Sequence, residues 1–143
     1  MPGWSILIKT LIKWGPIAFA AARKYYPYVK DNPAAQRFAA NMVDQTNRIP
    51  ERLSPDLRAR RKIAAVRTSL AEAAMLGIDP GTYGRWRTEL DELDRILTLS
   101  QAVSRSNRRS LIRQVNERLD RLVGQILPTL TGRAPLPPRE LPR

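Results

Sequence analysis

The chain contains neither cysteine nor histidine. Without thiols there is no disulfide framework, and without thiolate or imidazole ligands the common zinc and transition-metal sites cannot form. Triads built on Ser and His, or on Cys and His, are excluded for the same reason. No glycine spacing of the P-loop or dinucleotide-binding kind occurs. Acidic residues are scarce: 13 stand against 25 Lys and Arg, a formal net charge of +12. That imbalance points to an anionic partner, either an acidic membrane surface or nucleic acid. The densest carboxylates, Glu89, Asp91, Glu92 and Asp94, carry no metal-ligand spacing and read as a solvated helix face. We therefore expect no catalytic residues, no metal, no cofactor and no enzymatic activity. The 143 residues suffice for one domain with an appendage.

What the chain does have is an apolar beginning. From Trp4 to Ala22 only Ser5, Lys9, Thr10, Lys13, Gly15 and Pro16 interrupt Trp, Ile, Leu, Phe and Ala. At ~100° per residue, Ser5, Lys9, Lys13, Pro16, Ala20 and Arg23 fall in one narrow stripe beside a wide apolar face. Such a helix must lie in a bilayer interface, span a bilayer or pack on protein. A signal peptide places its charge before the apolar core, whereas Lys9 and Lys13 interrupt this one. Two central lysines would each cost about 2.5–3.5 kcal/mol in a spanning helix. Interfacial placement avoids that cost because the lysine stems reach back to head groups. The expected anchor residues are Trp4, Ile8, Lys9, Leu11, Lys13, Trp14, Phe19, Arg23 and Lys24. Pro16 should kink this helix, which should end near Tyr26, before Pro27.

The spacing then predicts a short helix over 34–48 with Phe38, Met42 and Val43 on one side, ended by Pro50. Ser54-Pro55-Asp56 reads as a helix start, with a capping hydroxyl, Pro in the first turn and an acid at the positive end of the dipole. Leu53, Leu57, Ile63, Leu70 and Ala74 continue it to a stop at Gly77. Asp79-Pro80 opens the next helix, on which Tyr83, Trp86, Leu90, Leu93 and Leu97 recur in steps of three and four. A third opens after Ser104 or Ser106 with Ile112, Val115, Leu119, Leu122 and Ile126, and Pro128 should end it. Short connections favour antiparallel neighbours.

Residues 69–87 read SLAEAAMLGIDPGTYGRWR. Ala73, Leu76, Gly77, Ile78, Pro80, Thr82, Arg85 and Trp86 resemble the helix-turn-helix of excisionase-like, MerR-like and transposase-type DNA-binding proteins. The resemblance implies that Ser69 and Glu72 form a capping box. It implies that Leu76, Ile78 and Trp86 fill the core between two helices, with Thr82, Arg85 and Arg87 facing DNA. The same residues also make a plain helical hairpin turn, with a Gly stop, an Asp cap and a Pro start.

Two Arg-rich groups stand apart: Arg58, Arg60, Arg61 and Lys62, then Arg105, Arg108, Arg109 and Arg113. Basic charge at a helix start opposes the dipole, so an anionic partner or the acids of residues 89–94 should account for the second group. The whole is an expected all-α chain. Residues 1–30 form an amphipathic helix with a basic, aromatic connector, and 31–53 a short helix and linker. Residues 54–130 form a small antiparallel three-helix bundle, and 131–143 a Pro-rich tail. The expected role is a cytoplasmic, membrane-associated adaptor that meets an anionic membrane surface through its first helix and a protein partner through the bundle. The alternatives are nucleic-acid binding through residues 69–87, and a structural subunit, homo-oligomeric or otherwise, whose first helix packs inside an assembly.

Overall fold

The computed structural model describes residues 3–132, with side chains from Ser5 onward. The described residues form six helices and no strand: α1 (Gly3–Leu11), α2 (Pro16–Val29), α3 (Pro33–Asn47), α4 (Pro55–Ala74), α5 (Pro80–Ser100) and α6 (Arg105–Leu130). Four of them begin at a proline, whose fixed φ suits the first turn and whose missing N–H would have no partner there. Asn32 caps α3 by accepting from Ala35 N at 2.9 Å, Asp79 caps α5 through Thr82 N at 3.0 Å, and Ser104 caps α6 through Asn107 N at 3.3 Å. Ser54 differs from the expectation: its hydroxyl donates to Asp56 Oδ1 at 2.7 Å and caps no backbone amide.

The long first helix expected over residues 4–26 is two helices. Residues 12–14 form a turn, and Gly15 after it, at φ 138°, holds a backbone conformation that side chains disfavour. Pro16 therefore starts a helix rather than kinking one. Two other prolines expected to end helices lie within them. Pro27 is passed by α2, whose next turn buries Val29, and Pro128 is itself buried near the end of α6. In both cases tertiary packing offsets the lost hydrogen bond. Beyond Thr131 and Gly132, the expected tail lies outside the described residues.

Helices α4, α5 and α6 touch one another pairwise; α3 lies along α4, α2 along α6, and α1 against α2 and α3. One continuous core runs through all six. Ile63, Val66 and Leu70 of α4 meet Leu90, Leu93 and Leu97 of α5 and Val115, Leu119 and Ile126 of α6 within it, all essentially inaccessible. Phe38 and Met42 of α3 join them, as do Leu7, Leu11, Trp14, Ala18 and Ala22. Leu57, expected on the α4 seam, is exposed; Ala59, Ile63, Val66, Leu70 and Ala73 form that seam instead. No helix of the described residues is long and apolar enough to cross a membrane.

Candidate functional surface

The apolar face of the first two helices turns inward. Leu11 and Trp14, expected as lipid anchors, are buried in the core, and Ile8 packs partly against it. The Trp14 indole N–H donates to Thr46 Oγ1 of α3 at 3.0 Å, and the Lys62 ammonium of α4 sits 5.4 Å from the ring centroid. Lys62 Nζ also reaches the Lys13 carbonyl at 3.5 Å. Burial pushes the Lys62 ammonium below the ordinary lysine pKa, and the neighbouring Arg58 charge pushes it further, with Asp120 opposing. Immediately after Trp14, the buried Asp120 carboxylate of α6 accepts from Ala18 N at 2.7 Å and Ile17 N at 3.2 Å. The glycine at 15 leaves room for that carboxylate, which a Cβ would strike. These contacts fix the turn and decide which side chains face out.

Those side chains are mixed in character. Lys9, Lys13 and Arg23 of the stripe are exposed, and so is Lys24. Ile6, Ile12 and Ile17 are exposed beside them, at 44%, 59% and 44%. Phe19 is half-buried under the Arg23 guanidinium, 5.8 Å from its ring, and Lys24 lies 5.5 Å from the Tyr25 ring. Trp4 lies outside the described side chains.

The Arg-rich groups separate by contact. Arg58 donates to the carbonyls of Glu51 at 3.0 Å and Leu53 at 2.9 Å, which ties it to the α3–α4 loop. Arg108 donates from Nε to the Ser100 carbonyl at 3.0 Å and so closes the α5–α6 turn. Arg61, Arg105, Arg109 and Arg113 are exposed and form no ion pair among the described residues. The acids of α5 are met by other arginines. Arg67 bridges Asp91 at 2.7 Å and Asp94 at 2.8 Å, Arg60 lies 3.8 Å from Asp94, and Arg118 bridges Glu89 at 3.0 Å and Glu92 at 3.1 Å. Hydrogen bonds from Arg67 hold the Asp91 carboxyl below its ordinary pKa, and donating to the carboxylates raises Arg67 and Arg118. Of the two explanations open for Arg105, Arg108, Arg109 and Arg113, these acids are therefore not the one; Arg60 and Arg67, one heptad apart on α4, were the available signal for their partners.

As α4 runs forward from Arg60 to Arg67, its partners on α5 step backward from Thr98 and Asp94 to Asp91, so the two helices run in opposite directions where these contacts join them. Within residues 69–87 the expected contacts are met only in part. Ser69 is buried mid-helix and Glu72 pairs with Arg37 of α3 at 2.8 Å, so they form no capping box. Ala73 and Trp86 are buried, and Ile78 is partly so, but Leu76 is 46% exposed and fills no core. Thr82 directs both its amide and its hydroxyl at Asp79. Arg85 and Arg87 are exposed, the latter 5.7 Å from the Tyr83 ring.

Three concavities mark the described surface near the first helices. A groove of about 480 Å³ runs between α1, α2 and α3, lined by Ile6, Val29, Ala39 and Val43 among others. A second of about 380 Å³ lies between Trp14, Gly15 and Pro16 and the α6 residues Arg109, Arg113, Glu117 and Asp120, among others. A third of about 290 Å³ is lined by Lys13, Thr46, Ile49, Pro50, Glu51, Arg58 and Lys62. Among the described residues no cluster of carboxylates could hold a metal ion. Comparison with known protein families, characterised proteins and solved structures finds no match to this chain.

Proposed function

We propose that this chain is a non-enzymatic helical adaptor that lies on an anionic membrane surface through the outward ridge of α1 and α2. The observation that carries this reading is the exposure of Ile6, Ile12 and Ile17 alongside Lys9, Lys13, Arg23 and Lys24. Shallow apolar contact combined with basic charge is the chemistry of interfacial attachment. The buried Leu11 and Trp14 hold that ridge to the core, and the anchor narrows to its outer side chains. A protein partner is then met at the opposite ends of α4 and α5. There Leu57, Leu99 and Val103 are exposed together near Arg105, and Gln101 bonds Asp56 at 3.0 Å. On this reading α4–α6 form the small antiparallel bundle and α1–α3 its membrane-facing cover.

Deleting residues 1–30 is a poor test, because it would uncover Phe38 and Met42. Point variants are better. Wild-type protein should co-sediment with vesicles containing anionic lipid and leave them as salt rises. A variant carrying Ile6→Ser, Ile12→Ser, Lys9→Gln and Lys24→Gln should bind at least roughly tenfold more weakly, since each basic group near such a surface contributes about 1 kcal/mol. Unchanged sedimentation with native helicity would refute the reading.

A further inference from the structure

We infer that the cavity between the α1–α2 turn, the α3–α4 loop and α4 is a binding site for a phosphate group, with Lys13, Thr46, Arg58 and Lys62 as its donors. The cavity is small, about 290 Å³, near the lower end of ligand-site volumes. Three cations line it, and Glu51, exposed in the loop, is the one acid on its wall. Neither Lys13, Arg58 nor Lys62 forms an ion pair among the described residues. On α4, Arg58 and Lys62 stand one turn apart, where like charges repel and weaken a helix. Arg58 also ties the loop and Lys62 covers Trp14, yet their charges and that of Lys13 line one hollow without an ion pair, and an anion in it would neutralise them.

Three of the donors also keep hydrogen-bonding capacity that an oxyanion could use. Arg58 is held by two carbonyls through one terminal nitrogen, which leaves its remaining N–H groups for a ligand. Thr46 is 93% buried, and its hydroxyl accepts from Trp14 while donating to nothing among the described residues. Its proton is therefore available at the cavity wall. Lys62 keeps its stem buried and its ammonium over the Trp14 ring, with only one long contact to a carbonyl. A half-buried ammonium facing another cation carries an electrostatic penalty, consistent with its depressed pKa. A phosphate relieves it and can accept a charge-assisted hydrogen bond from Arg58 Nη1, which the loop carbonyls leave free. The lining carries two net positive charges, matching a phosphate monoester near neutrality.

Two sources share this chemistry: the phosphate of a lipid head group and a soluble phosphate compound. The site shares Lys13 with the proposed membrane ridge, but Ile6, Ile12, Lys9 and Lys24 lie outside it, so the two can be tested apart. Calorimetry on full-length protein with sn-glycerol 3-phosphate, and separately with inorganic phosphate, tests it. Lys62→Met keeps the stem and removes the charge; Arg58→Gln keeps a polar side chain in the loop. Each should weaken binding by roughly tenfold or more, as expected for a charged hydrogen bond. Lys62→Met should melt no lower than wild type, which separates a binding role from a structural one. Arg95→Gln, an equal charge change on exposed α5, should leave affinity within about twofold.

Vesicles of phosphatidylcholine with phosphatidic acid, against phosphatidylserine at matched charge, identify the source. Preference for phosphatidic acid that Lys62→Met abolishes assigns the lipid phosphate. Glycerol phosphate binding without that preference assigns a soluble phosphate. No heat with either soluble probe and no lipid preference overturns the site, as does equal loss in Arg95→Gln. Weak vesicle binding by the Ile6, Ile12, Lys9 and Lys24 variant, with intact glycerol phosphate binding, concerns the surface alone.

Discussion

Helices α2 and α5 begin alike and are held differently. Each has proline at its first position and an aspartate accepting two hydrogen bonds at its start. At α5 the aspartate is Asp79, the capping residue itself, which reaches Thr82 three positions on and is exposed. At α2 the capping residue is Gly15, which has no side chain, and the carboxylate arrives from Asp120, 102 positions away from Ala18 and buried. The first arrangement ends a local argument about one helix. The second joins α2 to α6 and only exists once the chain has folded. Equal chemistry thus has unequal consequences, set by whether water can replace the carboxylate when it is removed.

The largest effect should fall at Asp120. Asp120→Ala strips the partner from two amides at the start of α2, one of them buried, and should cost about 2–4 kcal/mol in urea unfolding. Gly15→Ala should also destabilise, because its φ of 138° disfavours a side chain and its Cβ would meet the carboxylate. The double variant should lose less than the two single losses combined, since removing the carboxylate removes the steric conflict. Strict additivity would show that Gly15 and Asp120 do not share one site.

Asp79 should give a smaller change with a recognisable pH dependence. Its carboxyl is held below the ordinary aspartate value, first by the Thr82 amide and then by the Thr82 hydroxyl. A folded-state pKa below the unfolded one means that its stabilisation is fully present above the unfolded pKa. It fades as pH falls through the folded one. Asp79→Asn keeps a capping oxygen without the charge. Its deficit against wild type, read as a difference in urea midpoint, should therefore be present at pH 7 and shrink below about pH 3.8. A deficit constant across that range would assign the contribution to shape rather than charge.

The same contrast explains what the sequence disclosed. The starts of α5 and α6 were legible because Asp79 and Ser104 act within three residues of themselves, whereas the Asn32 cap of α3, equally local, was not read. The seams of α5 and α6 were legible because Leu90, Leu93, Leu97, Val115, Leu119 and Ile126 repeat at helical spacing. The break at Gly15 was hidden, because its cause lies on α6. Asn116, Asp120 and Gly124 form a row at one-turn spacing on that helix, and Ile17 approaches Gly124 closely. A polar, acidic and glycine row amid an apolar seam was the faint signal that another helix docks there. The destination of the apolar face of α1 and α2 was hidden for the same reason. A wide apolar face predicts burial against something, and only the fold says that its own core supplies the partner. The phosphate cavity, too, draws Lys13, Thr46 and Lys62 from three helical regions, which no local spacing brings together.

Ser54 supplies the smallest expected effect and sharpens the comparison from the other side. By residue type and position it is a strong capping candidate, standing before Pro55 at the start of α4. A serine cap removed to alanine costs typically about 1 kcal/mol. Ser104, whose hydroxyl accepts from Asn107 N, should show that cost as Ser104→Ala. The Ser54 hydroxyl instead donates to the partly exposed Asp56, whose carboxyl it lowers in pKa ahead of Gln101. Its loss leaves Asp56 with Gln101 and water, and leaves the α4 amides as they were. Ser54→Ala should therefore change the urea midpoint by less than half the Ser104→Ala effect. Equal losses at the two serines would mean that Ser54 turns to cap α4 in solution. The local sequence pattern would then outrank the long-range Asp56–Gln101 contact that holds its carboxylate neighbour.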